Sequence, residues 1–257
     1  MRLLFFLIIA SVLCGSISIR AQVSLETGSV LVKGLRVLGP NKQKVLARKR
    51  FYLFSGGLKD NDALIKRIDA AQITSRDCYY SQLQPAASAC FIKWLQDYSC
   101  ESPFCRKVTT EDKQGITEFA DAFNKGLTLY NRREDLALSW IVNNMPPSLV
   151  SGYYDMQKKN INAIIGGLKP LEDTMTTPGG AEATFVDIAV NDKPVTVLIS
   201  NLIPVEAGKK SFVWACEMDV QKNKQAILLL LPDSSKKNCY FKARDLKACN
   251  TGTCDKK

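Results

Sequence analysis

Apolar residues change their period along the chain. Leu3 to Leu13 is an apolar run broken only by Ser11, after a positive start at Arg2. From Gly28 to Phe54 apolar and polar residues mix at strand spacing, around the turn cluster Gly39-Pro40-Asn41-Lys42. Ser29–Leu38 and Val45–Phe54 are therefore expected to pair as a hairpin. From Leu58 to Leu168 the spacing turns helical. Asn61 is placed to cap a helix carrying Leu64, Ile68 and Ala71. Further helices are expected over 86–98, over 111–130 with an acidic start, over 133–143 before Pro146-Pro147, and over 148–168 ending at Gly166-Gly167.

Residues 173–181 have linker composition, and strand spacing returns after them. Strands are expected over 183–190, 195–199, 211–220, 226–231 and 239–243. Side chains on a strand repeat every two residues, so Phe212, Trp214, Cys216 and Met218 share one face, as do Cys239, Phe241 and Ala243. A buried Cys216–Cys239 bridge follows as a hypothesis.

The first apolar run is too short to span a bilayer, which takes roughly 20 residues. With its flanks it has the three-part form of a secretory signal peptide over residues 1–21, cleaved after Ala21, with Ser18 as the alternative site. Leu13, not a small residue, precedes Cys14, which departs from a lipoprotein site. Later segments are too short or too polar to cross a membrane. The mature chain is expected to be secreted or periplasmic. It keeps Cys78, Cys90, Cys100, Cys105, Cys216, Cys239, Cys249 and Cys254, an even set suited to disulfides in an oxidising compartment. Pairing within the first four and within the last four is one arrangement. A thiolate zinc site from Cys100-x4-Cys105 and Cys249-x4-Cys254 is the competing one, disfavoured by spacing and compartment.

The chain contains no histidine. That removes Ser-His-Asp and Cys-His catalysis, His-ligated metals and haem. No glycine-rich phosphate loop is present, and no metal or cofactor is expected. Ser234-x-x-Lys237 matches a Ser-Lys hydrolase spacing but sits in a polar turn without companion motifs, and is rejected. Glu111-Asp112, Glu134-Asp135 and Glu172-Asp173 are adjacent pairs whose side chains diverge; Glu118 and Asp121 have the spacing of a solvated helix face. The aromatics Tyr79, Tyr80, Phe91, Trp94, Tyr98 and Phe104 are expected in a disulfide-pinned helical core.

Gly28-Ser-Val-Leu-Val-Lys-Gly34, the following turn and Arg50-Phe51-Tyr52-Leu53 resemble the opening hairpin of carboxypeptidase-regulatory-like (transthyretin-like) modules. Ile199-Ser-Asn-Leu-Ile-Pro204, Ala207-Gly208 and Phe212-Val-Trp-Ala215 resemble a strand, turn and strand of the same family. The family runs straight on where this chain inserts roughly 115 helical residues. The resemblance implies a non-catalytic β-sandwich, beside an enzyme or in an exported envelope protein. The fold expected is α+β: a seven-stranded Ig-like sandwich from residues 22–56 and 174–257, with a disulfide-stabilised all-helical insertion over 57–173.

Charge follows this division. Residues 22–56 hold 7 basic and 1 acidic residue, 57–173 hold 14 and 15, and 174–257 hold 12 and 9. The excess of positive charge thus falls on the two β segments. Its sharpest cluster is Arg48-Lys49-Arg50, an anion-binding candidate. An edge strand kept from aggregating by its charges is the plainer reading, and the favoured one. The function expected is non-catalytic binding or structural service in the cell envelope. Its partner would be an anionic glycan, a lipid head group or an envelope protein; no nucleic acid is expected. The alternative is a hydrolase of glycans or peptides working through two facing carboxyls.

Overall fold

The computed structural model describes residues 26–34, 37–39, 42–44, 46, 48–98, 100–177, 182–207, 210–230, 238–247, 249 and 253–254. The expected signal peptide and Ser234-x-x-Lys237 lie outside these residues. Eleven strands occur among them: β1 Thr27–Gly34, β2 Val37–Gly39, β3 Lys42–Lys44, β4 Arg50–Ser55, β5 Glu172–Met175, β6 Glu182–Ala189, β7 Val195–Ser200, β8 Val205–Ala207, β9 Lys210–Val220, β10 Gln225–Leu230 and β11 Cys239–Asp245. The helices are α1 Asp62–Ala70, α2 Arg76–Ser81, α3 Ala89–Asp97, α4 Thr110–Gly115, α5 Thr117–Leu129, α6 Glu134–Ser139, α7 Pro147–Val150 and α8 Gly152–Ile165. The protein is α+β.

One sheet has the order β10-β1-β6, with β1 parallel to β10 and antiparallel to β6. The larger has the order β11-β9-β7-β4-β5, with β8 also on β9. The two sheets share a core. Val30 and Val32 of β1, Phe185 of β6 and Leu228 of β10 meet Phe51, Leu53, Ile199, Trp214 and Cys216 of the larger sheet. The expected hairpin is therefore corrected: β1 and β4 lie in different sheets. The neighbours of β4 are β5 and β7, and only a small β2–β3 ribbon pairs locally between β1 and β4. The count of seven strands is exceeded because β2, β3, β5 and β8 are three- or four-residue pairings with too few residues to show a period.

The other face of the larger sheet is also buried. Tyr52, Phe54, Leu198, Val213 and Ala215 pack against Leu64 and Ile68 of α1 and Ile164 of α8. Strands β4 and β9 thus read as near-continuous apolar runs. A second helical core gathers Tyr80, Phe91, Trp94, Phe119, Ile141 and Tyr153. Most of the aromatic group expected in a helical core sits there, whereas Tyr98 and Phe104 are exposed.

Two long expected helices are each divided. The 111–130 pattern breaks at Ile116, whose extended backbone (φ −133°, ψ 116°) separates α4 from α5 while its side chain stays buried. The 148–168 pattern breaks at Ser151, between α7 and α8. At the other end Gly166 takes a left-handed conformation (φ 59°) and terminates α8. Arg67 of α1 donates to the carbonyls of Ile164 (2.5 Å) and Ile165 (2.9 Å), satisfying the free end of α8 and fixing it beside α1. Glu118, expected on a solvated face, instead accepts from the amide and hydroxyl of Ser88, the cap of α3.

Four disulfides close the fold. Cys216–Cys239 joins directly opposed residues of β9 and β11, as expected from their shared face. Cys100–Cys105 closes a six-residue loop. Cys78–Cys249 and Cys90–Cys254 join the helical segment to the C-terminal segment, which corrects the arrangement within two separate groups. Cys249 and Cys254 thus meet α2 and α3, at Cys78 and Cys90, and not β9.

Candidate functional site

The Arg48-Lys49-Arg50 cluster does not lie on an edge. Strand β4 is flanked on both sides, and the edge position falls to β5. Arg48 occupies a turn with φ 55°, a left-handed conformation rare for a side-chain-bearing residue. Buried Thr176 holds this turn from the other side. Its carbonyl accepts from the amide of Arg48 (3.0 Å) and its Oγ1 accepts from the amide of Lys49 (2.9 Å). The amide of Thr176 donates to the carbonyl of Lys49 (2.9 Å). All three cationic residues line a cavity of about 580 Å³.

The cavity lies between the β4–β5 pair, one face of α8, the loop at Glu101 and the segment 201–206. From α8 come Tyr154, Lys158, Ile161, Asn162 and Ile165, at the three- and four-residue spacing of one helical face, with Tyr153 and Gln157 beside them. Tyr52, Met175, Ile203, Pro204 and Val205 complete a wall that is mainly apolar. Burial raises the phenol pKa values of Tyr52, Tyr153 and Tyr154, so all three remain neutral donors near neutral pH.

Each wall has its own support. The Glu101 loop is closed by Cys100–Cys105, and Tyr80 Oη donates to the Glu101 carbonyl (2.8 Å). Ser102 Oγ donates to the carbonyl of Val150 (2.7 Å). On the opposite side buried Asn201 donates through Nδ2 to the carbonyls of Ile203 (2.8 Å) and Phe212 (3.0 Å) and accepts from the Trp214 amide (2.8 Å). Gln157, 8% exposed, donates through Nε2 to Tyr153 Oη (2.7 Å), while its Oε1 has no hydrogen-bond partner among the described residues.

Charges in the cavity are unequal in their engagement. Lys49 Nζ pairs with Glu101 (2.9 Å) and Arg50 pairs with Asp173. Arg48 and Lys158 form no ion pair among the described residues. The third carboxyl, Glu206, accepts from the Arg76 amide (3.2 Å), and burial raises its pKa above the ordinary glutamate value. The arrangement therefore presents two uncompensated cations beside an apolar wall. Glu101 and Asp173 are both engaged by cations.

The three cationic residues stand out in the sequence; the α8 face, Glu101, Asp173, Met175 and Glu206 do not. Tyr154, Lys158, Ile161 and Ile165 recur at helical spacing, the one sequence signal that could have marked this face. Asp173 and Met175 fell in residues assigned to a linker. Among the described residues no group of three or more His, Cys, Asp or Glu side chains is arranged to hold a metal ion. No helix among them is long and apolar enough to cross a membrane. Comparison with protein-family models, with curated proteins and with solved structures returns no match.

Proposed function

We propose that the chain is an exported, non-catalytic binding protein whose cavity holds a small amphipathic anion. One observation carries this reading: a mainly apolar cavity of about 580 Å³ lined by Arg48 and Lys158, neither of which pairs with a carboxylate among the described residues. Its volume suits a ligand of drug or lipid size. The apolar body would lie along Ile161, Ile165, Met175 and Val205, and the anionic group would take charge-assisted hydrogen bonds from Arg48 and Lys158. Export is supported by four disulfides and by the leader-like residues 1–21.

The β part is included in the proposal as an Ig-like sandwich of the carboxypeptidase-regulatory-like kind, split by a helical insertion. Its support is the shared core of two sheets drawn from both ends of the chain. In this reading the insertion provides α8 and the Glu101 loop, which convert a sandwich face into a cavity.

Calorimetric titration with decyl phosphate and with decanol tests the function. Saturable binding of decyl phosphate, weakened about five- to tenfold by Arg48→Ser or Lys158→Ser, is the result expected for loss of a charge-assisted contact. Equal affinity for the two probes, or no binding of either, refutes it. Release of product from chromogenic glycosides or peptides by the wild-type protein would establish the hydrolase alternative instead.

A further inference from the structure

The rim of the cavity carries large apolar side chains in water beside the free cations. Tyr154 is 49% exposed and Met175 45%, and both line the cavity together with exposed Arg48 and Lys158. Phe104 is 60% exposed in the loop closed by Cys100–Cys105. Its loop partner Glu101 lines the same cavity, and three residues of chain reach at most about 11 Å. The loop is anchored by its bridge, by Tyr80 and by Ser102, so exposed Phe104 sits on a fixed backbone rather than at a loose tip. Aromatic and aliphatic side chains next to unpaired Arg and Lys suit a surface that is apolar underneath and negative on top.

We infer that the mouth of this cavity docks on an anionic lipid surface, with Phe104, Tyr154 and Met175 entering the head-group region and Arg48 and Lys158 meeting lipid phosphates. This deepens the proposed function by naming the source of the amphipathic anion: a membrane lipid that passes from the bilayer into the cavity without crossing water. A soluble anion needs only the cations and the apolar interior. Phe104, which is exposed and not among the lining residues, gives such an anion no contact and costs solubility, and the lipid surface accounts for it.

Flotation with vesicles of equimolar phosphatidylglycerol and phosphatidylcholine, against vesicles of phosphatidylcholine alone, tests the docking. Wild type and variants share one N-terminus, so residues 1–25 cancel in the comparison. Binding to the anionic vesicles is expected, falling at high ionic strength. Arg48→Ser and Lys158→Ser should each weaken it about fivefold, and Phe104→Ser and Tyr154→Ser severalfold. Thermal melts confirm that these surface variants fold. Absence of binding to anionic vesicles at low salt overturns the docking, as does vesicle binding that none of the four variants changes. A preference for soluble dextran sulfate over the vesicles overturns it too. Titration with decyl phosphate separates the two readings: vesicle binding lost with decyl phosphate binding retained removes only the docking, whereas loss of both removes the cavity reading as well.

Discussion

Removing Cys78–Cys249 and Cys90–Cys254 together should cost more than the sum of removing each. The two bridges close nearly the same long loop, of 171 and 164 residues. While one bridge stands, the other closes only a short circuit, through the 12 chain steps from Cys78 to Cys90 and the 5 from Cys249 to Cys254. Chain-entropy scaling gives about 3 kcal/mol for a loop of about 17 residues and about 5 kcal/mol for one of about 170. The bridges Cys100–Cys105 and Cys216–Cys239 shorten the long loop by only 5 and 23 residues, which leaves that figure nearly unchanged. Cys78→Ala/Cys249→Ala and Cys90→Ala/Cys254→Ala should thus each lose about 3 kcal/mol, and the fourfold variant about 8. The coupling is about 2 kcal/mol, well outside the roughly 0.5 kcal/mol scatter of independent sites. Reversible urea unfolding followed by near-UV circular dichroism measures all three, with sucrose added equally to keep the fourfold variant folded at zero urea. Losses that simply add would refute the parallel-bridge argument and show that the C-terminal segment makes two independent connections.

Three further outcomes follow from single side chains. Gly126→Ala in α5 should destabilise by about 1–3 kcal/mol despite alanine's better helix propensity, because its Cβ would lie 2.8 Å from Asn144 Nδ2 and 3.1 Å from Ala137 Cα; thermal unfolding checks it, and a stabilised variant refutes it. Arg67→Met should cost about 1.5–3 kcal/mol by leaving the Ile164 and Ile165 carbonyls unmet, and it should weaken decyl phosphate binding through the displaced end of α8; unchanged affinity would separate α8 from the site. Burial raises the Glu206 pKa, so the folded chain keeps that proton to higher pH than the unfolded chain, and stability is lost as pH rises from the ordinary glutamate range through the raised value. Glu206→Gln should therefore be more stable than wild type at pH 8 and equal to it near pH 4, and decyl phosphate binding by the variant should lose part of its decline with pH; an identical pH slope in both proteins would refute the assignment.

What the sequence revealed depended on whether a residue's role was local. The alternation in β9 placed Cys216 correctly and so led to its bridge with Cys239, because period-two spacing is fixed by the strand itself. Strands β6, β7, β9, β10 and β11 follow their apolar spacing to within two residues at each end. The pairing of β1 was hidden because adjacency in sequence suggested a hairpin, while its actual neighbours, β6 and β10, lie more than 140 residues away. The breaks at Ile116 and Ser151 were hidden for another reason. Apolar spacing continues through both, and only the packing of Ile116 into the helical core requires the chain to turn there. Bridges between the middle of the chain and its end were beyond spacing arguments, because cysteine pairing records three-dimensional proximity that no local pattern encodes.

The candidate site follows the same division. Arg48-Lys49-Arg50 was visible as a charge cluster, yet the edge-strand reading of it does not hold, because β5 covers the edge of β4. An edge strand protected by charge needs its cations in water along an open hydrogen-bonding rim. Here that rim is taken by Glu172–Met175, and two of the three cations are turned to carboxylates that arrive from elsewhere in the chain, Lys49 to Glu101 and Arg50 to Asp173. Arg48 is held instead in a left-handed turn by Thr176, a residue 128 positions away that meets both neighbouring amides. A turn that costs about 1 kcal/mol or more in backbone strain persists only where surrounding contacts impose it. Protection of an edge gives no reason for such contacts, because any exposed charge would serve. A cation that must stand at a fixed point beside Lys158 and an apolar wall does give one. The placement of Arg48, rather than the number of basic residues around it, is therefore the feature that favours a binding site over a solubility device.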